Sequence, residues 1–539
     1  MTIVQSPQSW IKQTFFIGII AALTACGGSG GGGNEPPITP PDTTPNAFTL
    51  NVVADAEPGE DVVSEPITVG GINAPAAISV EGGQYSINDG GYTSSAGTVT
   101  NGQMVTVKVV ASTSLETDSS ATLNIGGVTG TFVVTTLADT TPPTAQITFP
   151  PPMSMKDAET ILVRGVANDD YSGIKSLMVN DAEAVFSDDT NWTATVTLAE
   201  GENQLVVEVV DDADNVNETA SSVVIHRAEE AGEFPDENNP ITYGNHLTFD
   251  KANNRILVTN FEYVDGISAV IAVDLLTGVR TILSGPDTPN TENTFLRPTG
   301  IVVDADADRN RALVLDQGRK IIVVDLADGT RTLLSDGETP DDQQPILSAP
   351  ANITLDPNDP NIAYIVDEDV PNVQKIDLAS GKRTLVSDNS HEGIAFVAPN
   401  SILVDVENNR ALVGDGDATT AALFSVDLET GDREVISDLE NPQPGLPLYG
   451  ARAMASDNLA EYVFFDSGLN GILKVNVNTG ERESFFDPFS TSPANVVHSL
   501  YLEPGFSYLF YLDNRTQGVY AVDSKSAEYV VISKSQTPD

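Results

Sequence analysis

The stretch from Gly300 to Ser335 reads GIVVDADADRNRALVLDQGRKIIVVDLADGTRTLLS, and its pattern organises the C-terminal half of the chain. It contains four short runs rich in Val, Ile and Leu, each closed by Asp, Gly or Asn turn residues. Short apolar runs bounded by such residues are typical of β-strands. The stretch therefore predicts four consecutive strands, at 300–304, 311–316, 320–326 and 331–335.

The same pattern returns five more times between residues 243 and 533. The copies are plainest in the third strand and its hairpin: AVDLLTGVRTILS, VVDLADGTRTLLS, KIDLASGKRTLVS, SVDLETGDREVIS, KVNVNTGERESFF and AVDSKSAEYVVIS. Their anchor residues follow one another at steps of 51, 52, 50, 49 and 47, namely Asp274, Asp325, Asp377, Asp427, Asn476 and Asp523. A period of about fifty with four strands per copy indicates a β-propeller, because one such unit cannot bury both of its faces alone. We predict six blades.

Length and charge limit the remaining possibilities. A chain of 539 residues is too long for one core, so smaller domains are expected before the ring. Asp plus Glu number 77 and Lys plus Arg 26, which gives a net charge of −51. Contacts with phosphate need clustered basic residues, so we expect no nucleic-acid partner.

The first residues predict a membrane anchor. Lys12 precedes an apolar run at 14–25, which has the length of a signal-peptide core. Residues 23–25 (LTA) before Cys26, the only cysteine, resemble the lipobox of bacterial lipoproteins. The resemblance implies cleavage after residue 25 and lipidation of Cys26, which anchors the protein at the membrane. An ordinary secretory signal is the alternative. Gly27 resembles the signal for outer-membrane sorting, and whether the protein faces the periplasm or the cell exterior stays open.

Two modules are predicted between the anchor and the ring. Short apolar segments separated by turns at 46–139 predict a β-sandwich. Residues 140–227 resemble bacterial immunoglobulin-like (Ig-like) domains through an SGI turn, Trp192, an EGEN turn and a DDADN turn. We expect both modules to form a semi-rigid stalk. The predicted fold is all-β, and its parts are a signal peptide (1–25), a Gly/Pro-rich tether (26–45), two β-sandwich (Ig-like) modules (46–139 and 140–227), an acidic linker (228–240) and a six-bladed propeller (241–535).

A set of aspartates in the Ig-like module offers oxygen ligands for Ca²⁺: Asp169, Asp170, Asp211, Asp212 and Asp214. The segment lacks an Asp-x-Asp-x-Asp-Gly loop, and Asp in turns often bonds its own backbone. We therefore favour a turn role, with Ca²⁺ as the alternative cofactor. In the ring, acidic or Asn residues close the first two strands of every blade, and a residue that every blade repeats is expected to cap turns.

A ligand site is expected where the copies differ. The position five residues before each first-strand anchor lies where the innermost strand begins and faces the central channel. These positions are polar and varied, as a ligand site requires: Asn245, Thr299, Ala351, Asn400, Arg452 and His498. Arg and His there favour an anion, such as a carboxylate or an acidic sugar. The alternative is a water-filled channel in which Arg452 pairs with a nearby carboxylate.

The repeats resemble six-bladed NHL and SMP-30/gluconolactonase-like propellers. In the lactonase branch, a Glu, an Asn in a PNG motif and an Asp in a PDG motif bind one divalent metal. This chain has PNS at 399–401, but PTG at 298–300, and Arg452 and His498 in two other slots. A guanidinium repels a divalent ion, so we expect the lactonase metal site to be missing.

Three functions remain open. We favour an envelope lipoprotein whose propeller binds a glycan, a peptide or a partner protein without catalysis. The alternatives are a metal-dependent hydrolase of the SMP-30 kind and a structural scaffold. A lyase that uses His498 as general acid or base is a weaker enzymatic possibility.

Overall fold

The computed structural model describes residues 39–227, 239–261, 267–304, 309–341, 343–416, 419–442, 446–448, 450, 452–456, 461–467, 471–486, 497–503 and 505–534. The predicted signal peptide, Cys26, most of the tether and most of the acidic linker lie outside these residues. Within the described residues, no helix has the length and apolarity needed to cross a membrane. The chain forms two compact units, 1–138 and 139–539.

The first unit is the predicted β-sandwich. One sheet has the order β1-β9-β8-β4-β6, and in the other β7 pairs with β2, β3 and β5. Alternate residues of β7, Val105, Val107 and Val109, point into a core that also contains Phe132. The strands are β1 (Val52–Ala56), β2 (Asp61–Val63), β3 (Ile67–Thr68), β4 (Ala76–Glu81), β5 (Gln84–Ile87), β6 (Gly97–Val99), β7 (Met104–Val110), β8 (Asp118–Ile125) and β9 (Val128–Thr136).

The second unit begins with the Ig-like module. Its strands are β10 (Thr144–Phe149), β11 (Ser154–Lys156), β12 (Thr160–Asn168), β13 (Ile174–Val179), β14 (Ala182–Glu183), β15 (Val185–Phe186), β16 (Asn191–Thr197), β17 (Gly201–Asp211) and β18 (Val216–Arg227). One sheet has the order β10-β12-β16-β15, and β14-β13-β17-β18-β11 forms the other. Trp192 on β16 is fully buried opposite Gly165 on β12, where a Cβ would lie only 2.1 Å from the indole. Glycine is therefore required beside this tryptophan.

Six four-stranded antiparallel blades follow, which confirms the predicted propeller. In every blade the strands pair in chain order from the innermost outward. The second strands are buried along nearly their whole length, since neighbouring blades cover both faces. A short 3₁₀ turn, Lys251–Asn253, joins the first two strands of blade 1.

The blades have the following strands. Blade 1 contains β19 (Gly244–Asp250), β20 (Arg255–Asn260), β21 (Ala269–Asp274) and β22 (Arg280–Ser284). Blade 2 contains β23 (Pro298–Asp304), β24 (Arg311–Asp316), β25 (Lys320–Asp325) and β26 (Arg331–Ser335). Blade 3 contains β27 (Pro350–Leu355), β28 (Ile362–Asp367), β29 (Asn372–Asp377) and β30 (Arg383–Asp388). Blade 4 contains β31 (Pro399–Asp405), β32 (Arg410–Asp415), β33 (Ala422–Asp427) and β34 (Arg433–Asp438). Blade 5 contains β35 (Met454–Ala455), β36 (Tyr462–Asp466), β37 (Ile472–Asn476) and β38 (Arg482–Phe486). Blade 6 contains β39 (Val497–Leu502), β40 (Tyr508–Asp513), β41 (Gly518–Asp523) and β42 (Tyr529–Ser533).

An arginine at the start of the outer strand links five of the blades to the blade before it. Arg331 Nη1 donates to Ser284 Oγ (2.8 Å) and to the carbonyls of Gly285 (2.6 Å) and Thr288 (3.0 Å). The same Arg-to-Ser bond joins the other four pairs: Arg280 to Ser533, Arg383 to Ser335, Arg433 to Ser387 and Arg482 to Ser437. The bond from Arg280 to Ser533 closes the ring between blades 1 and 6.

The Ig-like module is joined to blade 6. Strand β11 pairs with β18 on one side and with β42, the outer strand of blade 6, on the other, so the two domains share a nine-stranded sheet. Arg164 on β12 forms a buried ion pair with Asp523 and donates to the carbonyl of Ser507 (2.7 Å). The Ig-like module therefore extends the propeller sheet and belongs to the same compact unit.

Candidate functional site

A cavity of about 310 Å³ lies at one end of the central channel, where the innermost strands begin. All six positions predicted from the repeat contribute to its wall: Asn245, Thr299, Ala351, Asn400, Arg452 and His498. Four further described residues also line it: His246, Arg297, Gln317 and Glu368. The repeat thus predicted where the cavity lies, while the binding role of these residues stays a prediction.

Buried aspartates at the ends of the second strands position the cavity wall. Asp316 Oδ2 accepts the backbone N–H groups of Leu296 and Arg297 (2.9 Å each), which fixes the loop that leads into β23. Asp415 accepts the N–H groups of Val397 and Ala398 in the same way, just before Asn400. Burial raises the pKa of both carboxyls, although these hydrogen bonds act in the opposite direction. The repeated carboxylates therefore hold loops in place, as their recurrence predicted.

Two arginines make part of the wall positive. Arg452 is exposed to the cavity, and among the residues that the structure describes no carboxylate or hydrogen-bond acceptor pairs with it. Arg297 is half-buried, and its guanidinium lies over the Phe261 ring at 4.9 Å. The alternative in which Arg452 pairs with a neighbouring carboxylate is not seen in the described part of the chain.

Two histidines lie beside Arg452. Burial, with a smaller contribution from His498, lowers the pKa of His246 to about 4. Burial, with a smaller contribution from Arg452, likewise lowers the pKa of His498 to about 4. Both imidazoles are therefore neutral at pH 7, and each offers one N–H donor and one acceptor nitrogen.

The remaining polar side chains of the cavity differ in whether they already form hydrogen bonds within the protein. Asn245 Nδ2 donates to the Pro298 carbonyl (2.6 Å), and Thr299 Oγ1 donates to the Pro350 carbonyl (2.6 Å). Both side chains thus link successive blades, which leaves the Thr299 hydroxyl little capacity for a ligand. Asn400 Oδ1, by contrast, is buried at the cavity wall and has no hydrogen-bond partner among the described residues. It is an acceptor available to a donor from a ligand.

The cavity does not fit the divalent metal of the lactonase-like propellers. Among the lining residues that the structure describes, Glu368 is the only carboxylate, and Thr299 stands in the slot that would need an aspartate. Two guanidinium groups line the same space, and they disfavour a divalent cation.

A second cluster of functional interest lies in the Ig-like module. Of the five aspartates considered from the sequence, the structure brings together Asp169 and Asp211, and it adds Asp139. Asp170 and Asp212 are not part of this cluster, and Asp214 instead pairs with Lys175 at the surface. The predicted turn role is also present, because Asp169 Oδ2 accepts backbone N–H groups from residues 171, 172 and 173.

Sequence reasoning missed several of these residues. Gln317 and Glu368 directly follow the aspartates that close the second strands of blades 2 and 3, so a search one position beyond each such anchor would find them. Asp139 precedes the TTPP segment and lies at the predicted boundary between two modules, where no motif drew attention to it.

One comparison with known proteins agrees with the fold of the Ig-like module. The family described as glucodextranase, domain B, matches residues 143–227, so the Ig-like module is similar to that domain. No curated protein matches the chain.

Several solved structures are similar at low identity. A Bacteroides thetaiotaomicron protein of unknown function has 12% identity and a TM-score of 0.38, and the match covers 73% of this chain and 98% of that one. The β-propeller domain of Cps50 (Swd1) from Myceliophteria thermophila has 12% identity and a TM-score of 0.36, with 56% and 89% covered. The extracellular domain of a putative hybrid two-component system from B. thetaiotaomicron has 15% identity and a TM-score of 0.37, with 55% and 34% covered. At these scores the matches carry no inference about ligand or activity.

Proposed function

We propose that this protein is a lipoprotein of the bacterial cell envelope whose propeller binds a small organic anion in the axial cavity. The ligand class is a carboxylate that also carries hydroxyl groups, as an acidic sugar does. The lipobox-like residues before Cys26 support the anchor. Incorporation of labelled fatty acid into the wild-type chain, and its loss in Cys26→Ser, tests that part.

The main evidence for an anionic ligand is the Arg452 guanidinium in the cavity. A guanidinium offers a planar set of donors that matches a carboxylate, and in the described residues no protein carboxylate occupies those donors. In a protein with a net charge of −51, a cationic side chain without an acidic partner is unusual. The Arg452 guanidinium is therefore available to an anionic ligand.

The neighbouring groups suit hydroxyls. Asn400 Oδ1 and the Glu368 carboxylate accept hydrogen bonds, while the neutral imidazoles of His246 and His498 both donate and accept. A ligand pocket of this kind has a few polar groups that converge on one space. The volume of about 310 Å³ is sufficient for a single sugar unit.

Titration calorimetry with D-glucuronate and D-glucose tests the proposal, because the two sugars differ in the carboxylate. We expect glucuronate to bind and glucose to bind at least about tenfold more weakly, since one charge-assisted pair is worth about 1.5–3 kcal/mol. Arg452→Gln should remove this preference. Lys382→Gln removes a positive charge from the exposed outer hairpin of blade 3 and should leave binding unchanged.

Equal affinity for both sugars, or a preference that survives Arg452→Gln, would count against the proposal. Metal-dependent opening of a sugar lactone by the purified protein would favour the hydrolase alternative instead. The His498 lyase gains no support from the cavity, because a general acid works best with a pKa near the working pH and that of His498 is about 4.

A further inference from the structure

Three carboxylates converge at one edge of the Ig-like module. Asp139, Asp169 and Asp211 each contribute an oxygen, and the three oxygens lie within 4.8 Å of one another. Asp139 precedes β10, Asp169 lies in the loop between β12 and β13, and Asp211 ends β17. Three segments that are distant in sequence therefore meet at this point.

Two of these carboxylates direct a free oxygen into buried space. Asp139 is only 8% exposed, and its Oδ2 has no hydrogen-bond partner, while its Oδ1 accepts the N–H of Thr141 (2.9 Å). Asp169 Oδ1 is also buried without a partner, while its Oδ2 accepts three backbone N–H groups. Backbone bonds thus fix the orientation of each carboxylate and leave one oxygen unsatisfied. A buried acceptor without a donor costs about 1–3 kcal/mol, and more for a charged group.

In the described part of the chain no Lys or Arg forms an ion pair with the cluster, although Lys175 interacts with the charge of Asp211. Asp211 is completely buried, and Asn215 provides its hydrogen bonds, from the backbone N (2.8 Å) and from Nδ2 (2.8 Å). Among the ion pairs of the described residues, none joins these three aspartates to Lys or Arg, and the nearby Lys175 pairs with Asp214. Three like charges so close together repel one another unless a cation lies between them.

We propose that Asp139, Asp169 and Asp211 bind one Ca²⁺ ion. The cluster offers hard carboxylate oxygens, which are the donor type that Ca²⁺ prefers. Zn²⁺ favours His and Cys ligands, and Mg²⁺ demands an octahedral shell that keeps several waters. This site is separate from the axial cavity, so it does not depend on the function proposed above.

The bound ion fastens the segment that leads into the module. Asn215 Nδ2 donates to the Asp139 carbonyl (3.2 Å), and Asn217 Nδ2 donates to the Pro143 carbonyl (3.0 Å). These bonds place residues 139–143 along the module, and a Ca²⁺ ion would add a link from Asp139 to the loop that holds Asp169 and to the end of β17 at Asp211. An ion that binds the folded chain alone stabilises it by mass action.

Calorimetric titration of the metal-stripped chain from Asn34 onward with CaCl₂ tests this inference. We expect one Ca²⁺ per chain, a rise in the Tm of the second unit with Ca²⁺ relative to EDTA, and weaker binding of Mg²⁺. Asp139→Asn keeps the shape of the side chain and should lower the affinity at least about tenfold, as loss of a ligand does. Asp170→Asn removes an adjacent exposed charge from outside the cluster and should bind Ca²⁺ like the wild type.

Proteolysis gives a second readout if Asp211→Asn, at a fully buried position, fails to fold. Residues 139–143 of the wild type should be cut faster in EDTA than in Ca²⁺, and this difference should vanish in Asp139→Asn. Ca²⁺ binding that is unchanged in Asp139→Asn and Asp169→Asn would overturn the proposal. So would an absence of Ca²⁺ binding together with a gain in stability for Asp139→Asn, because the cluster would then be a repulsive or proton-sharing group.

Discussion

The contact between blades 5 and 6 differs from the other five contacts in the ring. Elsewhere an outer-strand arginine reaches the serine of the preceding blade, and these serines are fully buried. Between blades 5 and 6 the arginine is replaced by Tyr529 and the serine by Phe486, and their rings lie 5.7 Å apart. The hairpin of blade 6 also has Ala527 at a left-handed position where blades 1 to 5 have glycine.

The Ig-like module docks at this aromatic contact. Met155 on β11 packs into the cluster that contains Phe486 and pairs with Val531 on β42. The Lys156 ammonium lies 4.3 Å from the centre of the Tyr529 ring and forms an ion pair with Glu528. Both residues of this contact therefore depart from the repeat, and the Ig-like module covers the edge of blade 6 at the same place. An outer strand with free N–H and C=O groups would otherwise invite pairing with another chain.

The largest effect is expected when one of the regular contacts is broken. Arg331→Met keeps much of the side-chain volume but leaves Ser284 and the carbonyls of Gly285, Thr288, Asn290 and Glu292 without their donor. We expect a loss of about 4 kcal/mol in the free energy of unfolding, measured by chemical denaturation, because two buried and three partly buried acceptors lose their donor.

Tyr529→Phe is the matched change at the irregular contact. It keeps the ring that touches Phe486 and Lys156, and the Tyr529 hydroxyl has no hydrogen-bond partner among the described residues. We expect a change below about 1 kcal/mol. A loss in Tyr529→Phe as large as that in Arg331→Met would show that polar groups contribute as much at the irregular contact as at the regular ones.

A somewhat smaller effect is expected at the bond between the module and blade 6. Arg164→Met leaves Asp523 fully buried without its cation, which should destabilise the second unit by about 3 kcal/mol. Lys251→Met removes an exposed ion pair with Glu503 and should cost less than about 1 kcal/mol. Thermal unfolding measures both variants, and an Arg164→Met protein as stable as the Lys251→Met protein would mean that the module adds little to the propeller.

The sequence predicted the ring and the cavity because both follow from the period. Once the copies were aligned, the residue that closes the first strand of each blade, such as Asp250 or Asp304, could be identified, and the positions five residues before these anchors do line one cavity. The same alignment contained the break in the repeat, since SFF in blade 5 and EYV in blade 6 depart from the consensus. The sequence around those residues does not indicate which domain covers them.

Contacts between segments that are distant along the chain could not be predicted from the sequence. The pairing of Met155 with Val531 and the bond from Arg164 to Asp523 each join residues more than 350 positions apart, without a shared motif. Asp139 meets Asp211 for the same reason, because only the folded sheets bring their loops together. Periodicity specifies neighbours within the ring, whereas docking depends on the surfaces that the folded domains present.

The cavity is the second place where the blades differ. Its two histidines make the stability of the protein depend on pH, which the regular Arg-to-Ser contacts do not. His246 and His498 have pKa values near 4 in the folded chain and near 6.5 when unfolded, so the unfolded chain binds more protons between these values. Stability from the neutral imidazoles is present above pH 6.5 and is lost as the pH falls toward 4. Buried carboxyls such as Asp316, whose pKa is raised, have the opposite effect on stability as the pH falls. The loss of stability in a histidine variant must therefore be compared with the loss in the wild type.

We expect the free energy of unfolding of His246→Gln to fall by about 2 kcal/mol less than that of the wild type between pH 7 and pH 4, because one buried imidazole no longer has to be protonated. Denaturation at each pH measures this difference. An equal loss in both proteins would show that the axial histidines are solvated in the folded state, and the cavity would then lack the desolvated wall on which selective binding of an anion depends.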